Sequence, residues 1–587
     1  MSKNKTFHKK KTLVVFLCCI AMLAGLIGRL VSLMVVQSEY YAKKADDLHE
    51  RERKIKAARG RILDVNGTVL ADNKTVCTIS VIHSQIKEPE KVIAMLVKEL
   101  GIDEAGARKR VEKVSSIERV KTNVEKEVGD KIREYQLAGV KVDEDFRRYY
   151  PYNELASRVL GFTGGDNQGI IGLEVKYEEV LKGINGTILT TTDARGIEQN
   201  GIGEKRKEPV AGFDLSTSLD YNIQMYAQQE AERVMEQKEA EKVSILLLNP
   251  KNGEIYACVN VPEFNLNDPY TLPAGTVLSG QGEKTDALNR MWRNTCINDT
   301  YEPGSTFKTA SIMVALEDGH ITPDYEVDTG NGIKMMYGRP MKDWNWHRGG
   351  YGRINVTRIL EVSSNVGTSS IIDQFYHDNP QKFVDGLKRM SIDQPLHLQI
   401  AGEGKPNIRG PKERYFAKTT LPWMSIGYET QVPPMNILTF YNAIANDGVM
   451  VRPKFVKAAV KDGEVVKEFP TEVINPKICS DNTLKQIREI LYKVVHQGLA
   501  GPAGSKQFAV SGKTGTAQIS QGAAGYKTGR TNYLVSFCGY FPSEAPKYSC
   551  IVSIQKPGLP ASGGLMAGSV FGKIAERVYA PSTPTAW

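Results

Sequence analysis

Three short motifs in the second half of the chain supply the groups that acyl transfer to a serine needs. They are a Ser-x-x-Lys at Ser305 and Lys308, a Ser-Ser-Asn from Ser363 to Asn365, and a Lys-Thr-Gly-Thr that begins at Lys513. Together they provide a hydroxyl nucleophile, an amine that can deprotonate it, a hydroxyl that can relay the proton, and a cation. The combination predicts serine-dependent acyl transfer.

The Ser-x-x-Lys spacing is weak evidence by itself because it recurs elsewhere in the chain. The other matches are Ser2 with Lys5, Ser84 with Lys87, and Ser553 with Lys556. Only Ser305 follows a Pro303-Gly304 turn and precedes a run of apolar residues. This context predicts that Ser305 lies in the first turn of a helix with Lys308 on the same face. The alternative is that Ser305 is only a helix cap and Lys308 a solvated lysine.

The Ser-Ser-Asn motif also has a competitor. Ser480-Asp481-Asn482 precedes apolar residues at helical spacing, so we predict that this triplet caps a helix. Ser363 to Asn365 instead follows a helical stretch that ends at Val362. Its short polar side chains would then lie in a connection between helices, able to face a cleft. A helix C-cap formed by Asn365 and Gly367 is the alternative.

Lys-Thr-Gly likewise occurs twice. Lys513 to Thr516 lie between apolar segments and are predicted to form an edge strand, in which Gly515 would let a substrate approach the backbone closely. Lys527 to Gly529 lie in a glycine-rich stretch, which predicts a solvated loop between two strands. The first copy is therefore the candidate cationic wall.

Taken together, the three motifs resemble the active site of the penicillin-binding proteins, serine acyl transferases that also include the serine β-lactamases. Earlier segments resemble the pedestal signature of the class B members and their entry into the catalytic domain. These segments are Arg59 to Gly67 with Leu70-Ala71, Arg148 to Pro151, Gly169 to Glu174 with Tyr177, Leu181 and Gly183, and Thr217 to Asp220. The resemblance covers nearly the whole chain after its apolar N-terminal run.

The resemblance implies an α+β fold with a single N-terminal transmembrane helix, an elongated pedestal domain and a transpeptidase domain in which helices flank an antiparallel sheet. We expect a cytoplasmic tail at 1–12, the transmembrane helix at 13–36, a juxtamembrane stalk at 37–55, a dimerisation-type pedestal at 56–215, the transpeptidase domain at 216–580 and a tail at 581–587. Charged residues between 39 and 59 have helical spacing. Alternating patterns predict strands at 243–248, 254–259, 507–518, 532–541 and 547–555, and a closing helix at 566–578.

The resemblance also implies a reaction, the transpeptidation of peptidoglycan. Ser305 would attack the carbonyl between two D-alanines of a stem peptide, expel the last one and form an acyl-enzyme. An amine from a neighbouring stem peptide would then resolve this intermediate. Lys308 would act as the base, and Ser363 would relay the proton to the leaving amine. β-Lactams would acylate Ser305, and neither a cofactor nor a metal is expected.

The same resemblance assigns substrate binding to the remaining motif residues. Asn365 would hold the substrate amide, while Thr514 and Thr516 would bind the terminal carboxylate beside Lys513. The backbone amides of Ser305 and Thr516 would form an oxyanion hole, in which losing one donor typically costs about 3 to 4 kcal/mol.

Lys308 can act as a base only if it is neutral. At an unperturbed pKa near 10.4, about one lysine in 2,500 is neutral at pH 7. Lowering the pKa to about 7 or 8 requires roughly 3 to 5 kcal/mol of destabilisation of the charged form. Burial together with the charge of Lys513 could supply it.

Within class B, two details resemble the cell-division branch more than the elongation branch. Residue 302 is Glu where the elongation type tends to carry Pro, and the relay triplet is Ser-Ser-Asn followed by Val366-Gly367 where that type tends to carry Asp. The nearby Trp292-Arg293-Asn294 agrees. A septal role, with a septal glycan polymerase and other division proteins as partners, is therefore expected, and an elongation or sporulation-specific role is the alternative.

Two further hypotheses belong to other functional classes. A class A β-lactamase adds a Glu-x-x-x-Asn that activates water, and Glu403 to Asn407 has this spacing. Because Gly404 and Pro406 lie within this segment, a chance match of the spacing is as good an explanation as a water-activating site. Rapid turnover of a chromogenic cephalosporin would favour the β-lactamase hypothesis. A β-lactam sensor or scaffold that keeps the pocket without using it is the second hypothesis, and complementation with Ser305→Ala would test it.

The N-terminus predicts a membrane anchor. The run from Leu13 to Val36 is apolar apart from Arg29 and Ser32, and as a helix it would extend about 36 Å, enough for a hydrocarbon core of roughly 30 Å. Arg29 lies near the far end, where its side chain can reach the interface. Five lysines precede the run, which predicts a cytoplasmic N-terminus and an extracytoplasmic catalytic domain at the inner membrane. A cleaved signal peptide is the alternative, but no clear small-x-small site is present.

Composition agrees with an ordinary folded chain of two domains. The 587 residues are 41% hydrophobic and 24% charged, and the net charge of +9 includes the lysines before the apolar run. No zinc-finger or Walker A spacing is present, so nucleic-acid binding is not expected. Eight cysteines show no metal-ligand spacing. Cys538 and Cys550 flank a predicted hairpin, where either a cross-strand pair or, as we favour, buried free thiols would fit.

Overall fold

The computed structural model describes residues 9–38, 50–115, 117–191, 205–278, 280–520 and 531–579. The chain forms two compact units: the first contains residues up to 58, 74–147 and 183–211, and the second contains 59–73, 148–182 and the residues from 212 onward. These units divide the chain differently from the predicted limits 56–215 and 216–580. The predicted loop at 527–529, the tail at 581–587, residues 1–8 and the stalk from 39 to 49 lie outside the described residues.

The N-terminal helix agrees with the predicted apolar span. An α-helix covers Lys9–Val31 and continues as a π-helical turn over Ser32–Val36. Within the described part of the chain, Leu13–Val36 is the helix long and apolar enough to cross a membrane, with a mean hydropathy of 2.5 and none of it buried. The observed helix therefore has the length and composition of the predicted span.

The first unit contains a three-stranded antiparallel sheet that corrects one prediction. Its strands are Glu50–Ile55, Gly186–Thr191 and Lys205–Lys207. The helical spacing seen between residues 39 and 59 is a wrong guide for residues 50–55. This segment forms a strand because its backbone pairs with residues far along the chain, a contact that local periodicity does not encode.

The rest of the first unit is a small α/β layer with its own core. Its helices are Pro89–Leu100, Glu104–Val111 and Lys126–Glu134. Its strands are Glu118–Glu125, the part of Val69–Val81 that begins at residue 74, and the part of Val140–Tyr149 that ends at residue 147. Helix Pro89–Leu100 has proline at its first position and Gly101 at φ 63° just after its end, the usual start and stop residues of a helix. Its apolar side includes Val92, Ile93 and Leu96, which are buried in this core.

A five-stranded antiparallel sheet forms the centre of the second unit. In chain order the strands are β1 (Lys242–Leu248), β2 (Ile255–Val261), β3 (Ser511–Gln518), β4 (Tyr533–Phe541) and β5 (Tyr548–Gln555), and their spatial order is β2-β1-β5-β4-β3. The antiparallel sheet and the edge position of β3 confirm the predictions. The strand predicted from residue 507 begins at Ser511, because Gln507 N–H donates to Ser505 Oγ in a preceding bend.

Helices pack on this sheet and beside its edge. Those that concern the site are α1 (Tyr221–Gln237), α2 (Lys308–Glu317), α3 (Val356–Glu361), α4 (Asn365–Tyr376), α5 (Pro434–Ala445), α6 (Asp481–His496) and α7 (Ser569–Tyr579). Helices α1, α5, α6 and α7 contact the sheet, and α2 contacts α4 and α6. The predicted α+β class, with helices flanking an antiparallel sheet, is confirmed. Ser480 Oγ caps α6 by accepting from Thr483 N–H, so the Ser-Asp-Asn triplet has the structural role predicted for it.

Shorter elements complete the second unit. The helices are Ser157–Leu160, Gly172–Lys176, Glu178–Leu181, Gln281–Trp292, Pro380–Arg389 and Thr420–Met424. The strands are Ile62–Leu63, Asp214–Thr217, Glu326–Asp328, Ile333–Met336, Arg339–Lys342, Arg353–Asn355, Asn407–Ile408, Thr430–Gln431, Met450–Val451, Val456–Lys461, Glu464–Glu468 and Val473–Asn475. Ile62–Leu63 pairs in parallel with Asp214–Thr217, which pairs in turn with Val456–Lys461. Segment 59–73 is thus part of a sheet of this unit.

The cysteines outside the N-terminal helix are free and buried. In the β4–β5 register, Cys538 lies opposite Ile551 and Cys550 lies opposite Gly539. The two thiols are therefore not directly opposed across the strands, and the interpretation as buried free thiols holds.

A buried ion cluster joins the early segments of the second unit. Both Arg59 Nε and Arg148 Nε lie 2.6 Å from the Glu174 carboxylate, one on each oxygen, and all three side chains are almost fully buried. Arg59 also donates to Glu178 at 2.7 Å, and Tyr150 Oη donates to Glu174 at 3.3 Å. Burial, followed by the charge of Glu174, raises the pKa of Tyr150. Glu174 thus pairs with both buried guanidinium groups, and Glu178 adds a second carboxylate at Arg59.

We expect Glu174→Gln to destabilise the second unit by about 3 to 5 kcal/mol, because it leaves buried Arg148 without its counter-charge and Arg59 with Glu178 alone. Urea unfolding of the full chain in detergent, followed by tryptophan fluorescence, measures this loss. Glu179→Gln is the matched control, since Glu179 forms an exposed pair with Lys182 and should change stability by about 1 kcal/mol or less. Equal stability of the two variants would contradict the expectation.

Candidate active site

The candidate nucleophile lies in a tight turn at the start of a buried helix. Gly304–Phe307 forms a 3₁₀ turn that leads directly into α2, so Ser305 lies in the first turn as predicted. The turn is held by Tyr441 Oη, which donates to Thr306 O at 2.8 Å, and by Thr306 Oγ1, which donates to Pro303 O at 2.9 Å. The position of Ser305 is therefore fixed from both sides of the turn.

Glycines bring the edge strand against this turn. A Cβ added at Gly515 would lie 2.4 Å from Ser536 Oγ and 3.1 Å from Thr306 Cγ2. Gly304 has φ 57°, and a Cβ there would lie 2.9 Å from Ala517 Cβ. The sequence suggested that Gly515 makes room for a substrate. In the structure, the absent side chain makes room for the protein itself, because β3 packs on the nucleophile turn.

Lys308 and Ser363 are in direct contact. Lys308 Nζ is fully buried and donates to Ser363 O at 2.6 Å and to Ser363 Oγ at 3.2 Å. Ser363 lies between the end of α3 and the start of α4, as the sequence predicted, and it has φ 56°. A serine in this left-handed region costs on the order of 1 kcal/mol or more, and such residues concentrate at functional sites.

The other two residues of this triplet anchor the connection. Ser364 is the N-cap of α4 and accepts from Gly367 N–H, and its hydroxyl donates to both carboxylate oxygens of Asp343 at 2.9 and 3.0 Å. Asn365 Nδ2 donates to Lys342 O at 2.7 Å. A C-cap formed by Asn365 and Gly367 is wrong, because both residues lie inside α4. The end of α3 is instead closed by Ser363 N–H and Ser364 N–H, which donate to Leu360 O and Ile359 O. Whether Asn365 holds a substrate amide stays a prediction.

Asp343 is a buried residue of this site that sequence reasoning missed. It is 1% exposed and follows the strand Arg339–Lys342. No motif or periodicity marks it in the sequence, because it comes from a short hairpin and reaches the site only through tertiary packing.

The Lys-Thr-Gly-Thr segment places a second buried lysine near the first. Lys513 is fully buried, and its Nζ donates to Thr514 O at 3.1 Å and to Thr514 Oγ1 at 3.4 Å. Thr514 is almost buried, whereas Thr516 is exposed and accepts from Gly563 N–H at 3.3 Å. The strand thus presents Thr516 to solvent and Lys513 to the interior.

Burial controls the charges of the two lysines. It lowers the pKa of Lys308 to about 7, against the charge of Asp343, which acts to raise it. Burial, and then the positive charge of Lys308, lowers the pKa of Lys513 well below its usual value. The predicted fall in the pKa of Lys308 agrees with this value. Its main cause is burial, and the repulsion between the two lysines lowers the pKa of Lys513 instead. Loss of hydration outweighs Coulomb repulsion at a fully buried amine.

The decoy residues do not join these groups. Ser553 lies in β5 and Lys556 pairs with Glu241, while Ser84 lies in a 3₁₀ turn of the first unit. Glu403, the candidate water activator, accepts from the backbone N–H groups of Leu396 and Leu398. Its carboxylate therefore holds a loop. Among the described residues, no group of three or more His, Cys, Asp or Glu side chains could hold a metal ion.

Comparison with known proteins gives consistent matches over both units. The family model described as Penicillin binding protein transpeptidase domain matches residues 243–576, and the one described as Penicillin-binding Protein dimerisation domain matches residues 54–217. Stage V sporulation protein D of Bacillus subtilis (strain 168) is 30% identical over 574 residues, which cover 96% of this chain and 85% of that protein.

Two further comparisons extend the similarity. Peptidoglycan D,D-transpeptidase FtsI of Escherichia coli (strain K12) is 26% identical over 571 residues, which cover 96% of this chain and 90% of that protein. The crystal structure of Penicillin Binding Protein 2X from Streptococcus thermophilus has a TM-score of 0.73 at 23% identity, covering 91% of this chain and 80% of that one. The fold is shared along most of the chain.

Proposed function

Because the chain belongs to the class B penicillin-binding proteins and carries their D,D-transpeptidase domain, we propose that it cross-links peptidoglycan stem peptides through an acyl-enzyme on Ser305. The observation that carries this proposal is the environment of Lys308. Its amine is buried, has a pKa of about 7 and contacts the hydroxyl of Ser363. Such an amine can take a proton near neutral pH, which an ordinary lysine cannot do.

The first half-reaction forms the ester. Ser305 Oγ attacks the carbonyl carbon between the two D-alanines and gives its proton to Lys308 Nζ. The tetrahedral oxyanion is held by the backbone N–H groups of Ser305 and Thr516. The C–N bond then breaks, the proton passes from Lys308 through Ser363 Oγ to the leaving amine, and free D-alanine departs.

The second half-reaction forms the cross-link. An amine of a neighbouring stem peptide attacks the ester carbonyl, loses a proton to Lys308 by the same route, and expels Ser305 Oγ, which regains its proton. A new amide replaces the one that was broken. The acceptor must therefore enter where the D-alanine left.

Lys513, Thr514 and Thr516 are proposed to bind the terminal carboxylate of the donor, with Asn365 on its amide. In the free protein, burial and Lys308 hold the pKa of Lys513 low. A bound carboxylate favours the charged form of Lys513, since an opposite charge raises the pKa of an amine. β-Lactams, which carry a strained amide and a carboxylate, are proposed to acylate Ser305 in the same way.

We expect the acylation rate to increase with pH and to level off above the pKa of Lys308. Below about pH 7 the amine is protonated and cannot accept the serine proton, so the rate should fall about tenfold per pH unit. The second-order rate constant for a fluorescent penicillin, measured between pH 5 and 9, gives this profile. A midpoint near pH 10 would mean that the pKa of Lys308 is not lowered, and a rate that does not change between pH 5 and 9 would mean that Lys308 is not the base.

A direct test of the reaction uses the full chain in detergent with a stem pentapeptide and an acceptor amine. The proposal predicts release of one D-alanine for each acyl-enzyme formed and a cross-linked product. Penicillin binding without any D-alanine release or cross-linking would favour the sensor or scaffold hypothesis. Rapid hydrolysis of a chromogenic cephalosporin would favour the β-lactamase hypothesis.

The apolar helix Leu13–Val36 supports a single-pass membrane protein. We propose that the lysines before it keep the N-terminus in the cytoplasm and that both folded units lie outside the cytoplasmic membrane. Protease added to intact spheroplasts should then degrade both units. Protection of these units until lysis would contradict the orientation.

We propose a septal role, with a glycan polymerase and other division proteins as partners, on the strength of Glu302 and of Ser363 to Asn365 followed by Val366-Gly367. A sporulation-specific role is the second candidate, favoured by the 30% identity to a protein named for stage V of sporulation. A fluorescent fusion in its native cells separates them. Signal at midcell during vegetative growth supports the first, and signal confined to sporulating cells supports the second.

A further inference from the structure

Asp343 is a buried acid that contacts the Ser363–Asn365 turn beside Lys308, although none of the three motifs contains it. Its carboxylate accepts from Ser364 Oγ through both oxygens and from Val366 N–H at 2.9 Å. Its own N–H donates to Gly332 O at 2.9 Å, which fixes the backbone against the preceding loop. The loop before the hairpin therefore fixes the backbone of Asp343, and the carboxylate binds the first turn of α4.

These contacts lead to Lys308 in two steps. Ser364 and Val366 follow Ser363, whose left-handed backbone turns its carbonyl and hydroxyl oxygens toward Lys308 Nζ. A carboxylate that fixes the residues after Ser363 restricts the turn as a whole. Hydrogen bonds to a charged acceptor are stronger than those between neutral groups.

Asp343 also supplies the negative charge that Lys308 faces. The charged group that acts on Lys308 is Asp343, and Lys308 in turn acts on Lys513. Charged side chains of the other elements around α2 have partners elsewhere: Asp373 of α4 bonds Tyr337, Arg389 pairs with Asp318, Arg488 of α6 pairs with Asp447, and Glu361 of α3 pairs with Arg358. Glu317 lies at the far end of α2, about 14 Å along the helix axis, and accepts from Ser480.

We propose that Asp343 is a positioning residue for acylation, holding the Ser363–Asn365 turn through Ser364 and Val366 and balancing the positive charge of Lys308. The proposal rests on the proposed function, because it concerns the base of that reaction. Burial alone would make the amine of Lys308 too weak a base, and the nearby carboxylate restores part of its proton affinity. The hydrogen bonds of the Asp343 carboxylate go to Ser364 and Val366 and not to Ser305, so its proposed action is through Ser363 and Lys308.

Asp343→Asn tests the charge with little change of shape, since the amide keeps one acceptor oxygen. In the penicillin acylation profile between pH 5 and 9, we expect the midpoint to move toward acid by roughly half a unit to one unit. The plateau rate should fall about 3- to 30-fold. Asp343→Glu, which keeps the charge, should return the midpoint to the wild-type value.

Ser364→Ala tests the geometry with the charge left in place. It should lower the plateau rate without moving the midpoint. Glu326→Gln is the control: it removes an exposed acid from another strand and should change neither the plateau rate nor the midpoint. If Asp343→Asn does not fold, as judged by its thermal midpoint, Asp343→Ser provides a second neutral variant with an acceptor oxygen. A midpoint that stays unmoved or moves toward alkali in the neutral variant overturns the proposal.

Failure of the proposed function would look different. In that case the wild-type chain itself would not be acylated, or its acylation would not depend on Ser305. A wild-type profile with a midpoint near 7 and an Asp343→Asn profile that coincides with it would refute only the role of Asp343.

Discussion

Ser305→Ala should abolish covalent labelling by penicillin and lower transpeptidation by about 10⁴-fold or more. In the proposed reaction the hydroxyl oxygen forms the ester, so its removal leaves no covalent intermediate. Losses of this size are typical of an enzyme that loses its nucleophile. The change removes one oxygen from a half-buried position, so the fold should be retained. Labelling with a fluorescent penicillin and D-alanine release from a stem pentapeptide both measure the loss.

Ser84→Ala is the matched control for this prediction. Ser84 belongs to another Ser-x-x-Lys match, is exposed and lies in the first unit. It should label as the wild-type chain does. If Ser305→Ala were labelled at the wild-type rate, or if it supported normal septation with undiminished cross-linking in cells, the enzymatic role of Ser305 would be refuted.

Lys308→Met should lower the acylation rate by about 10³- to 10⁴-fold across the whole pH range. Methionine fills much of the same buried space without an amine, so the loss measures general-base catalysis, which contributes about 10² to 10⁴, together with the contact to Ser363. Raising the pH should not restore the rate, because no group remains to titrate. Lys308→Arg should be equally inactive, since a guanidinium stays protonated at these pH values.

Lys556→Met provides the control, as Lys556 belongs to another Ser-x-x-Lys match and forms a surface pair with Glu241. It should acylate normally. A Lys308→Met protein that is folded and retains more than about a tenth of the wild-type rate would show that another group takes the serine proton. Lys513 would be the first candidate, because burial lowers its pKa as well.

Local sequence was sufficient for the parts of the site that lie close together along the chain. Ser305 and Lys308 are three residues apart, and the Pro303-Gly304 turn before them marks the start of the helix. Apolar flanks placed Lys513 on a strand, and helical spacing after Ser480 identified it as a cap. In each case the signal was a capping residue, a turn residue or a periodic apolar pattern, which are local properties.

The features that the sequence did not reveal depend on contacts between distant segments. Asp343 comes from a short hairpin and is buried only when α4 packs against it. Glu50–Ile55 becomes a strand only by pairing with residues 186–191. Arg59, Arg148 and Glu174 stood out as family signatures, but their charges gave no sign that they form one buried cluster within the second unit. Composition and spacing do not specify which remote residues will meet.

The pKa of Lys308 shows the same division between local and tertiary information. The requirement that it fall to about 7 or 8 follows from the chemistry of a lysine base. Its cause could not be assigned from sequence, because burial of the amine depends on α4, α6 and β3 closing around the start of α2. The neighbouring charge of Asp343, which opposes the fall, was likewise invisible.

The most direct test of this account is the position of the covalent adduct on the wild-type protein. Trypsin should release the peptide Asn294–Lys308, in which Ser305 is the single serine. After brief exposure to penicillin at neutral pH, mass spectrometry should find one added penicillin per chain, and fragmentation should locate it on Ser305. An adduct on any other residue, or no adduct on a folded chain, would contradict the claim that this serine is activated by the buried Lys308.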